Sequence, residues 1–116
     1  MGPIGGGLAL VDALGKYADE EEKITWFYET AARTLIQDNF GSVTGIKAIS
    51  KNNSPLELKA NNIILACGGF EGNPEMLSHY VGAQAQFIRP VSRGGHYNRG
   101  EGIKMALDIG AAPCGD

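Results

Sequence analysis

Residues Ile63 to Cys67 form an uninterrupted apolar run, Ile-Ile-Leu-Ala-Cys, that stops abruptly at Gly68-Gly69. Runs of this length without a polar break are expected of parallel strands buried on both faces. Paired glycines after such a strand let the backbone approach a bulky ligand at the carboxyl end of the sheet, where open parallel sheets usually bind. A plain tight turn uses the same residues, so the run by itself leaves ligand binding and turn formation side by side. Glycine is the one unusual element of the composition: 17 of 116 residues, roughly twice average usage. The glycines cluster at Gly5 to Gly7, Gly68-Gly69, Gly94-Gly95, and Gly100 with Gly102.

Other elements read out from either side of that run. Leu8, Leu10, Val11, Leu14 and Ala18 recur at three- and four-residue spacing and predict an amphipathic helix over 8–18, with Gly5 to Gly7 as its entrance. Glu20 to Glu22 then fall past its end, in water. Ile24 to Tyr28 is β-branched and aromatic and predicts a strand. Ala32 to Gln37 and Val43 to Ser50 flank the turn formers Asp38-Asn39-Phe40-Gly41-Ser42, a hairpin pattern, although Val43, Ile46, Ala48 and Ile49 alternate imperfectly and leave the register open. After a polar turn at Lys51 to Pro55, Leu56 to Lys59 supplies a return strand, completing a three-stranded meander. Asn73-Pro74 predicts an N-cap with proline in the first helical position, opening a short helix through Leu77. Residues 82–97 lack a period and read as connecting structure. Gly102 to Ile109 predicts a last helix that Gly110 stops. With only three residues after Pro113 and no strand before the first helix, the chain reads as an internal piece of something longer.

Composition removes several classes. A net charge of -3 with ten scattered Lys and Arg residues gives no electrostatic footprint for nucleic acid. Cys67 and Cys114 show no CxxC or histidine pairing for a metal and read as reduced thiols. No apolar stretch reaches the roughly 20 residues of a membrane span, and no signal peptide is recognisable. The default expectation is a cytoplasmic, soluble chain.

A second glycine constellation, Asn98-Arg99-Gly100-Glu101-Gly102-Ile103, sets a carboxylate between two glycines at a helix entrance. Helix N-termini present free amide donors and a dipole that favours anionic or polar ligands, and ordinary capping uses the same pattern. The order of the motifs is more specific than either motif. Gly5-Gly6-Gly7, the strand Ile24 to Tyr28, the meander from Leu35-Ile36 through Gly45-Ile46, Ala66-Cys67-Gly68-Gly69-Phe70, Arg99-Gly100-Glu101-Gly102 and Gly110-Ala111 follow one another along the whole chain. In that order the chain resembles the FAD-binding family of fumarate reductase and succinate dehydrogenase flavoproteins, tricarballylate dehydrogenase and 3-ketosteroid dehydrogenases. Three positions depart from the family pattern: Cys67 and Arg99 stand where threonine is usual, and Glu101 where aspartate is usual.

The resemblance implies an α/β fold, a partial FAD-binding Rossmann-like domain with parallel strands, a β-meander and flanking helices. Residues 1–80 would belong to the FAD-binding domain and 81–116 to the start of the substrate-capping region. It implies FAD contacts at Ala32, whose backbone matches the position facing the adenine edge, at Cys67, Gly68 and Gly69 beside the dinucleotide, and at Gly100, Glu101 and Gly102 on the flavin side. His96, next to that loop, matches approximately a histidine that holds a substrate carboxylate. A loop histidine without function fits the same position. Arg89 and Arg93 are weaker carboxylate ligands by type alone, and His79 reads as a surface residue. The family's Gly-x-Gly-x-x-Gly turn is absent from this sequence, and its proton-donating arginine would lie farther along, so no residue here is assigned a catalytic role. The implied activity is hydride exchange between FAD and a small unsaturated carboxylic acid, fumarate-like, in a parent whose remainder is this chain's partner, the chain alone being inactive. The rival expectation is a non-enzymatic module that self-associates, as a dimer, through an unfinished sheet edge and exposed apolar surface.

Overall fold

The computed structural model describes residues 6–114. Helix α1 (Gly6–Glu20) leads into an irregular stretch, then strands β1 (Thr30–Gln37), β2 (Val43–Ser50) and β3 (Pro55–Lys59). Helix α2 (Pro74–Val81), two 3-10 helices (Gly82–Phe87 and Arg93–Tyr97) and helix α3 (Glu101–Asp108) follow. The architecture is mixed α/β, and among the described residues its sheet has the order β1-β2-β3 with both pairings antiparallel.

The meander is the one expected. Its first turn closes because the Asp38 carboxylate accepts from the amides of Phe40 (2.8 Å) and Ser42 (2.9 Å), while the Asp38 amide bonds the Ser42 carbonyl. An acidic side chain thus substitutes for ladder partners where the chain reverses. The second turn sets Asn53 at φ 56, with its amide on the Ser50 carbonyl. Register shifts place an extra residue on β1 at Arg33 and on β2 at Thr44; the second lets Val43 and Ile46, three residues apart, share a face, while Ile49 points to the other side, 36% exposed.

Helix α2 begins as its sequence predicts. Asn73 Oδ1 accepts from the amides of Glu75 and Met76, and Pro74 fills the first position. Helix α3 runs over Glu101–Asp108 and ends on Gly110 at φ 96, whose amide bonds the Leu107 carbonyl while that of Ala111 reaches Ala106. It packs on β1, and the Gln37 side chain reaches toward the Ile109 carbonyl.

Two expected strands do not form. Ile24 to Tyr28 enters no ladder, and Trp26 and Tyr28 stack on one another instead, with centroids 5.6 Å apart. Ile63 to Cys67 likewise runs unpaired, with the Ile64 side chain 89% exposed. The reason is the same for both. β-propensity expresses a fit to a pleated, half-buried surface, and a parallel strand requires a neighbour that no described segment supplies. The helix over 8–18 does form, within α1, with Glu20 as its last residue rather than beyond it. Gly5 of its expected entrance lies outside the described residues.

Its apolar stripe covers nothing. Leu10, Val11 and Leu14 are all more than half exposed, and α1 packs against no other element. Only Leu35, Ala48, Leu77 and Met105 form a buried apolar core among the described residues. The chain exposes 9590 Å², against about 6,100 Å² for a compact monomer of this size. Its radius of gyration is 16.9 Å, where about 13 Å is usual.

Candidate functional site

The two glycine constellations meet. The Gly100 amide donates to the Gly69 carbonyl at 3.0 Å, and the Gly72 amide to the Asn98 carbonyl at 2.8 Å. Asn73, besides capping α2, donates from Nδ2 to the Arg99 carbonyl at 2.9 Å. A charge-assisted bond joins the side chains: Asn98 Nδ2 lies 2.6 Å from Glu71 Oε1. That bond, and after it the residue's own backbone amide, hold the Glu71 carboxyl below its usual range, against a smaller opposing effect of desolvation.

The closeness of these segments depends on missing side chains. Gly100 sits at φ 81 as the N-cap of α3, where a Cβ would lie 2.8 Å from Met76 Cε and 3.1 Å from Phe70 Cβ, and closer still to Met76 Sδ. Gly68, at φ 80, lies flush against the Asn98 carboxamide, 2.6 Å from where its Cβ would be. Gly102 is buried, and a Cβ there would run into Cys67 Sγ. Only glycine meets both demands at Gly68 and Gly100, a left-handed backbone and no room for a side chain.

Cys67, Gly68 and Gly102 therefore share one wall, and with Leu65, Ile103 and Ala106 they line a cavity of about 210 Å³. Its edge is the start of α3. No side chain caps that helix, and the amides of Glu101 and Gly102 have no protein partner among the described residues. Free first-turn amides with a positive helix end beside them suit a polar or anionic ligand. At about 210 Å³ the cavity is smaller than a dinucleotide, and it opens beside the exposed backbone of Gly68.

Of the residues expected from sequence, Cys67, Gly68, Gly69, Gly100, Glu101 and Gly102 come together here. Ala32 is not among the residues lining that cavity. It lies exposed on β1 opposite Ala48, at the edge of a bulge. His96 is exposed in the second 3-10 helix and lines a different cleft, of about 410 Å³, with Glu71, Leu77, Arg89 and Pro90. Arg89 Nη1 is committed to the carbonyls of Gln86 (2.8 Å) and Ile88 (2.7 Å), which leaves it less available to a carboxylate. His79 is exposed on α2, edge-on to Tyr80 at 4.7 Å. Glu71 and Met76 carry contacts that sequence reasoning did not assign. The available signal was a carboxylate two residues after Gly69 and an asparagine two before Gly100, an acceptor and a donor flanking two turns.

No family model matches the chain. It is 32% identical over 87 residues to vinyl phenol reductase of Lactiplantibacillus plantarum, a match covering 74% of this chain and 17% of that protein. It is 35% identical over 75 residues to urocanate reductase of Eggerthella lenta, covering 64% of this chain and 12% of the other. The open conformation of a flavocytochrome c3 fumarate reductase superposes with a TM-score of 0.80 at 25% identity, over 96% of this chain and 19% of that one. Over most of its length the chain is similar to flavoprotein reductases of the fumarate reductase type, and it spans less than a fifth of the length of each of these relatives. No described helix is long and apolar enough to cross a membrane.

Proposed function

We propose that this chain is part of an FAD-dependent reductase that exchanges a hydride with the carbon–carbon double bond of a small unsaturated carboxylic acid. The observation that carries the reading is the meeting of Cys67–Gly69 with Gly100–Gly102 at the uncapped start of α3, built by glycines that no other residue replaces. The hydride chemistry is what FAD supplies when bound. This chain's own residues would hold one portion of it: the backbone of Gly68 and Gly69 on one side, the amides of Glu101 and Gly102 on the other, and Ala32 at the adenine end. His96 would hold a substrate carboxylate from the neighbouring cleft. Fumarate is the leading substrate, and relatives named for vinyl phenol and urocanate support a reductase of conjugated double bonds more broadly.

The same reading gives the unpaired segments a place. Residues 63–67 become a parallel strand of a Rossmann-like sheet whose other strands belong to the remainder of the flavoprotein, and that remainder covers α1 and Trp26. Residues 1–80 then fall to the FAD-binding domain and 81–116 to the substrate-capping region. The test is a titration of the purified chain with FAD, followed by flavin fluorescence. Saturable quenching in the micromolar range supports the cradle, and unquenched flavin at millimolar chain contradicts it.

A second reading draws on the same exposed surface. More than 3,000 Å² beyond that of a compact monomer exceeds what a standard protein interface buries, and a self-associating, non-enzymatic module would cover it by dimerisation. A concentration-independent dimer on size exclusion with no flavin affinity favours the module; a monomer that quenches flavin favours the reductase.

A further inference from the structure

Glu71 lies outside the glycine motifs, yet it holds the only side-chain-to-side-chain bond between the two loops among the described residues. Its Oε1 accepts from Asn98 Nδ2, and the Asn98 carboxamide is in turn pressed against Gly68. The neighbouring backbone bonds, Gly72 to Asn98 and Gly100 to Gly69, lie on either side of this contact. Glu71 also touches the second loop at another point, since its Oε1 and Cγ lie within 3.6 Å of where a Gly95 Cβ would be. Neither loop enters a strand ladder that would fix their separation, the second following directly on the 3-10 helix Arg93–Tyr97.

We infer that Glu71 is a positioning residue: acting through Asn98, it sets the distance between the Gly68–Gly69 turn and the Gly100–Gly102 helix entrance. The inference gives a residue to the proposed cofactor cradle and rests on that reading only for its consequence, since the clasp itself is a property of the free chain. Removing the carboxylate leaves Asn98 Nδ2 without its acceptor, and the carboxamide is then free to leave Gly68. The Gly72 and Gly100 amides, whose bonds cross the same junction, then open more often.

The test is amide hydrogen exchange of the full chain as wild type, Glu71→Ala and Glu71→Gln. In Glu71→Ala, protection of the Gly72 and Gly100 amides falls by about tenfold, as expected for loss of a charge-assisted bond, while amides between β1 and β2 are unchanged. Glu71→Gln keeps an acceptor oxygen in place and returns protection to within about threefold of wild type. Unchanged protection at both glycines in Glu71→Ala, or an equal loss in the meander, overturns the inference. So does a failure of glutamine to restore what alanine loses. FAD titration of the same variants separates the two claims: a wild type that binds no FAD contradicts the proposed function and leaves the exchange result to decide the clasp.

Discussion

In the meander, strands adjacent in sequence hold one another by ladder bonds, and side chains such as Asp38 shape the turns. At the junction of residues 65–72 with 95–102, partners 27 residues apart meet through bare backbone, and side chains act mainly by being absent. The first region tolerates change at most positions that keep its pattern, Gly45 excepted, where a Cβ would lie 2.6 Å from the Leu58 carbonyl oxygen. The second has almost no such slack, because its separation is set by contacts shorter than a Cβ allows. A ligand that must lie along a main chain needs the second kind of construction, which is why the meander serves as support and the junction as the candidate site.

The contrast predicts unequal costs. Gly100→Ala forces a left-handed residue and drives a methyl into Met76 and Phe70. It should cost about 3 kcal/mol from strain and overpacking together, read as a lowered denaturant midpoint. Asn73→Ala removes the α2 cap and the bond to Arg99 at once, for about 2 kcal/mol in the same assay. Asp38→Ala, at the best-defined turn of the meander, should cost only about 1 kcal/mol and leave any flavin affinity unchanged. A meander substitution away from the close-packed Gly45 that rivalled Gly100→Ala would break the comparison.

The smallest effect is one of pH. The Glu71 carboxyl is depressed below its ordinary value of 4.5 in the folded chain, so the stability it contributes is complete above that value and is lost as pH falls through its lowered one. His96 and Arg89 line the same cleft, and neither has the Asn98 contact. The thermal midpoint of Glu71→Gln should therefore approach that of wild type on acidification below pH 4.5, and a gap that widens there would sink the assignment.

What the sequence disclosed divides along the same line. Turn chemistry and capping are local, so Asp38 to Ser42, Asn73-Pro74 and Gly110 announced the hairpin, α2 and the end of α3 within a residue or so. The glycine constellations were visible as motifs, each tied to FAD by family resemblance, while their direct contact through Gly100 and Gly69 was not read. The Glu71–Asn98 bond was not legible, because nothing local pairs residues that far apart. Strand expectations failed at Ile24 to Tyr28 and Ile63 to Cys67 because apolar composition states what a segment is able to bury, and a strand also needs a neighbour. The same lack leaves the α1 stripe in water.

The most direct test of the central claim is to titrate FAD into the isotopically labelled chain and follow each amide. The cradle predicts saturable shifts at Gly68, Gly69, Glu101 and Gly102 with the meander amides of β2 and β3 unmoved. Shifts confined to the meander or to α1, or none at millimolar FAD, would contradict it.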